Sequence, residues 1–515
     1  VGPDVISIVL KVLTAGAGLA AYFTKDAKYK RYCSTLLLVL CTALVAFSFY
    51  QPMMNRDKDT KSLAIMDSST AEFVMKLSAS LEDMFAQAGG GLMGAASGTG
   101  EKSKGMTNDM HTQALKSAKL AVQHDPGSVA MKFRELIISG ESRLPLAAEL
   151  KSLKEMSDKN AAPAALLIER MYETHSLPKA DEKEALALCE TLTSRGWLRD
   201  VATIEVYRTS GEKGTSDKLL KQYHESNVAY AARFASLMVA AVILGFMGVL
   251  ILFIQFFFWP RKLTSEQQRS LIAAPADYGK AKIYGVFIGW LALECTISPL
   301  VSQYVKKPAG TLDPILIGFM ILGIYLLSNA PSLIIAWLVA IRPTGVKFVD
   351  AVKLRFKAGT LGPLRLVLSG IAAWLCAIPL VLVSALISKM AQSHGSANPI
   401  LPIISEVVRS GGFGTIALFV VVLGVMPALC EETLFRGFLY TALRVKHGVL
   451  YSVLLSATAF AAVHLDPGAF PQLFILGVVF ALVMERTKSL IPSMVAHCLW
   501  NSGTLILMMV AFGGA

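Results

Sequence analysis

Long apolar stretches recur along this chain, and very few folds can hold them. Two come first, near 5–23 and 33–50. From residue 228 onward the chain is mostly apolar, over about 228–258, 282–305, 313–341, 364–389, 412–446, 449–465, 470–486 and 489–513. A helix needs about 20 such residues to cross the hydrocarbon of a bilayer, where every backbone polar group must be satisfied within the segment. Most of the stretches are that long, and 449–465 and 470–486 are short. With 54% hydrophobic and only 17% charged residues in 515, the composition is that of a polytopic membrane protein. The expected fold is all-α, a bundle of about ten transmembrane helices with an eight-helix core at 228–515. Two helices precede that core at 1–50, and a polar helical region is inserted at 51–227.

Basic residues orient the spans. The net charge of +12 gathers in short loops between apolar stretches, so the positive-inside rule accounts for it better than nucleic-acid binding does. Lys25, Lys28, Lys30 and Arg31 mark one cytoplasmic loop, Arg342 to Arg365 another, and Arg444, Lys446, Arg486 and Lys488 two more. The alternation puts residues 51–227 outside the cytoplasm. The chain starts at Val1, which suggests a processed or trimmed end, and the first stretch lacks a basic leader, so it reads as a spanning helix. Seven cysteines form no Cys-x-x-Cys pair, and Cys189 is alone in the polar region. That leaves neither a disulfide framework nor a zinc ribbon there.

The polar region reads as helices near 64–86, 110–124, 128–139, 145–157, 161–174, 182–195 and 198–208, with a flexible Gly/Ser run over 89–105. Residues 114–126 resemble the second helix of a tetratricopeptide repeat and its exit turn, but no strict period of that kind is established. A peptide-binding repeat-like domain and a helical spacer both stand as readings.

Within the apolar stretches lie three polar pairs, each four residues apart and therefore on one helix face: Glu432/Arg436, Phe460/His464 and His497/Asn501. Glu431 lies about 100° round its helix from Glu432. A charge at the bilayer centre costs about 2.5–3.5 kcal/mol even on lenient scales, so such groups mark function or paired ions. Glu431 and His464 each stand 16 residues from the turn at His447-Gly448, roughly 25 Å along antiparallel helices. His497 and Asn501 fall roughly 12–18 Å along the last helix. A kink at Pro427 and helix tilt would let all four groups meet. Singly, Glu432–Arg436 reads as a structural ion pair, and a lone histidine as bonded to a backbone carbonyl or part of a proton path. Together they make a hydrolytic set. A carboxylate and an imidazole hold and deprotonate water, while a second imidazole and an amide donate to an oxyanion.

These motifs, Glu431-Glu432-x-x-x-Arg436, Phe460-x-x-x-His464 and His497-x-x-x-Asn501 in that order, resemble the CAAX prenyl protease and bacteriocin-processing (Abi) family of glutamic intramembrane proteases. The resemblance covers about 412–513 and leaves out the first two spans and residues 51–227. It implies a membrane-embedded endopeptidase with Glu431 as general base and His464 binding the attacking water. His497 and Asn501 would stabilise the oxyanion, and Glu432, Arg436 and Phe460 would order the site. The substrate would be a membrane-associated peptide or protein such as a prenylated C-terminus, a leader or a transmembrane segment. No cofactor is required, although Glu431, His464 and His497 also form a zinc-ligand set by residue type. The host membrane would be a bacterial plasma membrane, or the endoplasmic reticulum in a eukaryote.

Other intramembrane protease classes fail on sequence. No His-Glu-x-x-His, no Gly-x-Gly-Asp and no Gly-x-Ser-Gly before a suitable histidine occurs. Two rivals stay open. One is a non-catalytic scaffold or immunity protein of the same fold. The other is a transporter or proton pathway, for which Glu294 in the middle of the 282–305 stretch has the right chemistry.

Overall fold

The computed structural model describes residues 60–89, 99–193, 196–258, 272–305, 314–358, 361–390, 413–464, 466 and 468–512, with scattered positions before residue 44. Among them there is no strand. The chain divides into two compact units. One holds residues 57–240, with 397–410 and 506–515; the other holds 1–56, 241–396 and 411–505.

The first unit is built from helices α1 (Thr60–Gly89), α2 (Thr99–His124), α3 (Val129–Glu141), α4 (Ala147–Lys154), α5 (Ala161–Ile168), α6 (Glu182–Leu192) and α7 (Trp197–Thr209), and from the start of α8 (Lys213–Phe258). Alanines make the α1–α2 seam: Ala64, Ala71, Ala114, Ala118 and Ala121 are all buried, so two long helices run close together. They are antiparallel, since Asp67 near the start of α1 meets His124 at the end of α2 at 2.9 Å. The α2 helix starts at Thr99, well before the expected 110, so residues 99–105 of the Gly/Ser run are helical. An antiparallel partner supplies the support that its composition withholds. Ser128 caps α3, accepting from the Met131 amide at 3.3 Å. Phe133, Leu136, Ile137, Ile168 and Trp197 then fill a core closed by α5 and α7.

The second unit contains α9 (Lys280–Val305), α10 (Pro314–Ile335), α11 (Pro363–Met390), α12 (Phe413–Arg444), α13 (Val449–Ala462), α14 (Phe470–Thr487) and, as far as Leu505, α15 (Ile491–Phe512). Six helices among the described residues are long and apolar enough to cross a membrane: α8, α10 with its extension to Thr344, α11, α12, α14 and α15. At 14 residues, α13 spans only about 21 Å, short of the hydrocarbon thickness. The expected 282–305 span is α9, which is not among the six. Glu294 lies on it, with a side chain outside the described residues. The two expected spans at 5–23 and 33–50 fall largely outside them as well.

Helix geometry departs from ideal where polar chemistry is placed. The α12 rod contains two π-helical turns, Val420–Val425 and Thr433–Tyr440, on either side of Met426–Glu432. The α10 helix also runs into a π turn, Ala336–Ile341. Side chains cover carbonyls in and beside these turns: Ser456 donates to Phe435 O at 3.1 Å and Thr441 to Gly437 O at 2.5 Å. The helix ends are tied in pairs. Ser489 donates to Arg355 O at 2.6 Å, joining the α10–α11 loop to the α14–α15 turn. Lys446 pairs with Asp277 at 2.5 Å, joining the α12–α13 loop to the segment before α9. Gly477 lets α14 lie against α13, since a Cβ there would stand 2.8 Å from Ala457 Cα.

Candidate active site

Glu431 and Glu432 occupy the last α-helical turn before the π segment Thr433–Tyr440. Adjacent on one rod, they face different surroundings. Glu432 is fully buried, while the Glu431 side chain keeps 17% exposure.

Around Glu432 lies a closed polar knot. Arg436 Nη1 donates to Glu432 Oε1 at 2.8 Å, the pairing expected four residues on. His497 Nδ1 meets the same oxygen at 2.8 Å, and Ser493 Oγ donates to Oε2. The Arg436 guanidinium stands 4.3 Å from the Phe460 ring centre and 5.3 Å from that of Phe480, so aromatic faces flank a buried cation. Phe460 also touches both imidazoles edge-on, at 5.0 Å from His464 and 5.9 Å from His497. Phe480 stacks on His497 at 5.2 Å. Phe460 is thus the packing hub of the site.

On the other side of Glu431 the two histidines converge. His464 Nε2 and His497 Nε2 each lie 4.0 Å from Glu431 Oε2. The opposite ring nitrogens fix the tautomers. His464 Nδ1 lies 2.8 Å from Phe460 O and His497 Nδ1 lies against the Glu432 carboxylate. Each Nδ1 therefore carries the proton in the neutral ring, leaving both Nε2 atoms as acceptors. His464 sits in the turn just past the end of α13, so that helix presents it from its tip.

Asn501 is placed by a proline. Pro427 has no N–H to offer Leu423 O four residues back, and Asn501 Nδ2 donates to that carbonyl at 3.2 Å. Its second amide proton and its oxygen are left for other partners. On α15, Ser493, His497 and Asn501 recur every four residues as one polar stripe, a signal that marks Ser493 in hindsight. No motif marks Phe480 or Tyr325. The latter comes from α10, its hydroxyl 3.4 Å from Glu431 Oε1.

The donor spacing suits water better than zinc. A tetrahedral zinc brings a nitrogen and an oxygen ligand to about 3.4 Å of each other, against 4.0 Å here. A water hydrogen-bonded to both spans about 4–4.6 Å. Among the described residues, no three His, Cys, Asp or Glu side chains are grouped to hold a metal ion.

Residues 413–503 match the Rce1-like family of type II CAAX prenyl endopeptidases. The Rce1-like segment runs from α12 into α15 and includes all seven residues singled out from the three motifs. It supports CAAX-type intramembrane protease activity in general. With the six apolar helices, it supports an integral multi-pass membrane protein. Tyr325 lies outside it. No curated relative and no solved structure matches the chain.

Proposed function

We propose that the chain is a metal-free intramembrane endopeptidase acting on a membrane-associated peptide, with a prenylated C-terminal segment as the substrate class. One observation carries the reading: Glu431 Oε2 faces the Nε2 atoms of two histidines from different helices, 4.0 Å from each. A water in that gap donates one proton to Glu431 and the other towards His464, both of which are acceptors. Glu431 takes the proton as water attacks the scissile carbonyl, and returns it to the departing amine when the tetrahedral intermediate collapses and the C–N bond breaks.

The tetrahedral oxyanion then faces His497 and Asn501. His497 donates from Nε2 only as the imidazolium, because Nδ1 is already given to Glu432. The charges allow it: Glu431 and Glu432 against Arg436 and a protonated His497 sum to zero, which suits a site enclosed by hydrocarbon. Asn501 contributes its second amide proton. Arg436 and Phe460 hold these groups in register. Residues 51–227 are read as an extracytoplasmic helical domain, a reading supported by the alternation of basic loops.

Glu431→Gln tests the proposal in proteoliposomes given an internally quenched farnesylated CAAX peptide. Cleavage falls at least a thousandfold while folding and membrane insertion are retained. Unchanged cleavage would remove Glu431 as the base, and no cleavage by the native chain would favour a non-catalytic scaffold.

A further inference from the structure

One contact to the proposed base comes from outside the Rce1-like segment. Glu431 Oε2 faces the imidazoles, and its other oxygen, Oε1, lies 3.4 Å from the Tyr325 hydroxyl on α10. A carboxylate on a three-bond side chain rotates freely unless both oxygens are held. Its two oxygens are chemically equivalent, so a partner on the far oxygen fixes the plane of the group, with the near oxygen 4.0 Å from each ring nitrogen.

The helix bearing Tyr325 is fixed to the helix bearing Glu431. Trp290 of α9 donates from Nε1 to Ser328 O at 3.0 Å, three residues from Tyr325. The same indole packs edge-on against Phe435 at 6.3 Å, one turn beyond Glu431. Asn329 Nδ2 closes the local turn onto Tyr325 O at 3.2 Å. A buried tryptophan, 6% exposed, thus bridges the two helices within a turn of the phenol and of the carboxylate.

We propose that Tyr325 is a positioning residue, donating its hydroxyl hydrogen to Glu431 Oε1 and thereby aiming Oε2 at the water that it shares with His464. At 3.4 Å the contact is long for a hydrogen bond, as catalytic contacts often are before substrate binds. Removing the hydroxyl leaves the carboxylate charge in place and frees its rotation. The effect belongs to turnover rather than to substrate binding. The catalytic part of this inference rests on Glu431 acting as the base.

The test uses the full chain in proteoliposomes and Tyr325→Phe, which keeps the ring and its packing. The first readout is the infrared carboxylate stretch of Glu431, isolated by subtracting the spectrum of Glu431→Gln. The second is kcat and KM on the quenched farnesylated peptide. In Tyr325→Phe the band shifts, kcat falls about tenfold and KM stays within twofold. An unshifted band overturns the contact, and a shifted band with unchanged kcat overturns its positioning role. A shifted band in a protein that cuts no peptide, native or variant, leaves the contact standing and overturns the peptidase reading with the catalytic role built on it.

Discussion

Arg436 shows what a single side chain is asked to do here. It is fully buried, makes one hydrogen bond to Glu432, and turns its Nε and Nη2 towards surroundings that offer no hydrogen-bond partner. The aromatic faces of Phe460 and Phe480 take up the remaining charge. Truncating it leaves Glu432 buried with only His497 and Ser493 as partners, and removing one partner of a buried pair costs about 3–5 kcal/mol. Arg436→Met is therefore expected to lower the thermal midpoint in detergent and abolish cleavage. Adding Glu432→Gln restores most of the stability without restoring activity. A double variant as unstable as the single one contradicts this account. The i, i+4 spacing makes the Glu432–Arg436 pair legible in sequence. The His497–Glu432 bond bridges 65 positions, and no local spacing reports it.

At the scale of helices, departures from regular geometry deliver the chemistry. Pro427 strips a donor from Leu423 O, and Asn501 supplies one from α15. The α13 helix ends at Ala462, so His464 reaches Glu431 from a helix tip instead of from mid-span. Its position depends on how closely α13 approaches α14, and Gly477 sets that approach. A methyl there would stand 2.8 Å from Ala457 Cα, which is backbone and cannot turn aside. Gly477→Ala is expected to destabilise by about 1–3 kcal/mol, as overpacking does. It also lowers kcat by moving His464, and Ala457→Gly relieves part of both effects. Thermal unfolding and turnover of the same samples decide this, and an alanine variant with native values in both refutes it. Sequence periodicity placed these helices well. It missed the π turns, because their extra residue is absorbed without any change in apolar pattern.

Across the whole molecule, the two units bury charge differently. The first unit holds carboxyls whose charged form is disfavoured by burial. Burial pushes the Glu141 carboxyl above its ordinary range, although Tyr172 donates a hydrogen bond to it at 2.9 Å. Burial raises Glu205 and Asp67 likewise. A group whose folded value lies above its unfolded value binds protons more tightly when folded. Stability therefore rises as pH falls through the raised value and levels off below the ordinary carboxyl range. Hydrogen exchange of α3 to α7 in the full chain, corrected for intrinsic rates, is expected to show greater protection at about pH 5 than at pH 7. Glu141→Gln raises protection at pH 7 and flattens the dependence. Protection that falls on acidification, with no response to Glu141→Gln, removes this explanation.

Periodicity and residue type alone decided that this chain is helical and where most of its described apolar helices lie, and they marked seven side chains as candidates. Those properties are local, because a helix face repeats every 3.6 residues and hydrocarbon admits few charges. Tertiary structure decided the partners: Glu432 rather than Glu431 holds His497, Ser493 joins them, and Tyr325 arrives from a helix that carries no motif. Those contacts join residues 61 to 106 positions apart. What brings them together is the packing of Trp290, Phe435, Phe460 and Phe480 among separate helices, which no stretch of sequence encodes by its own spacing.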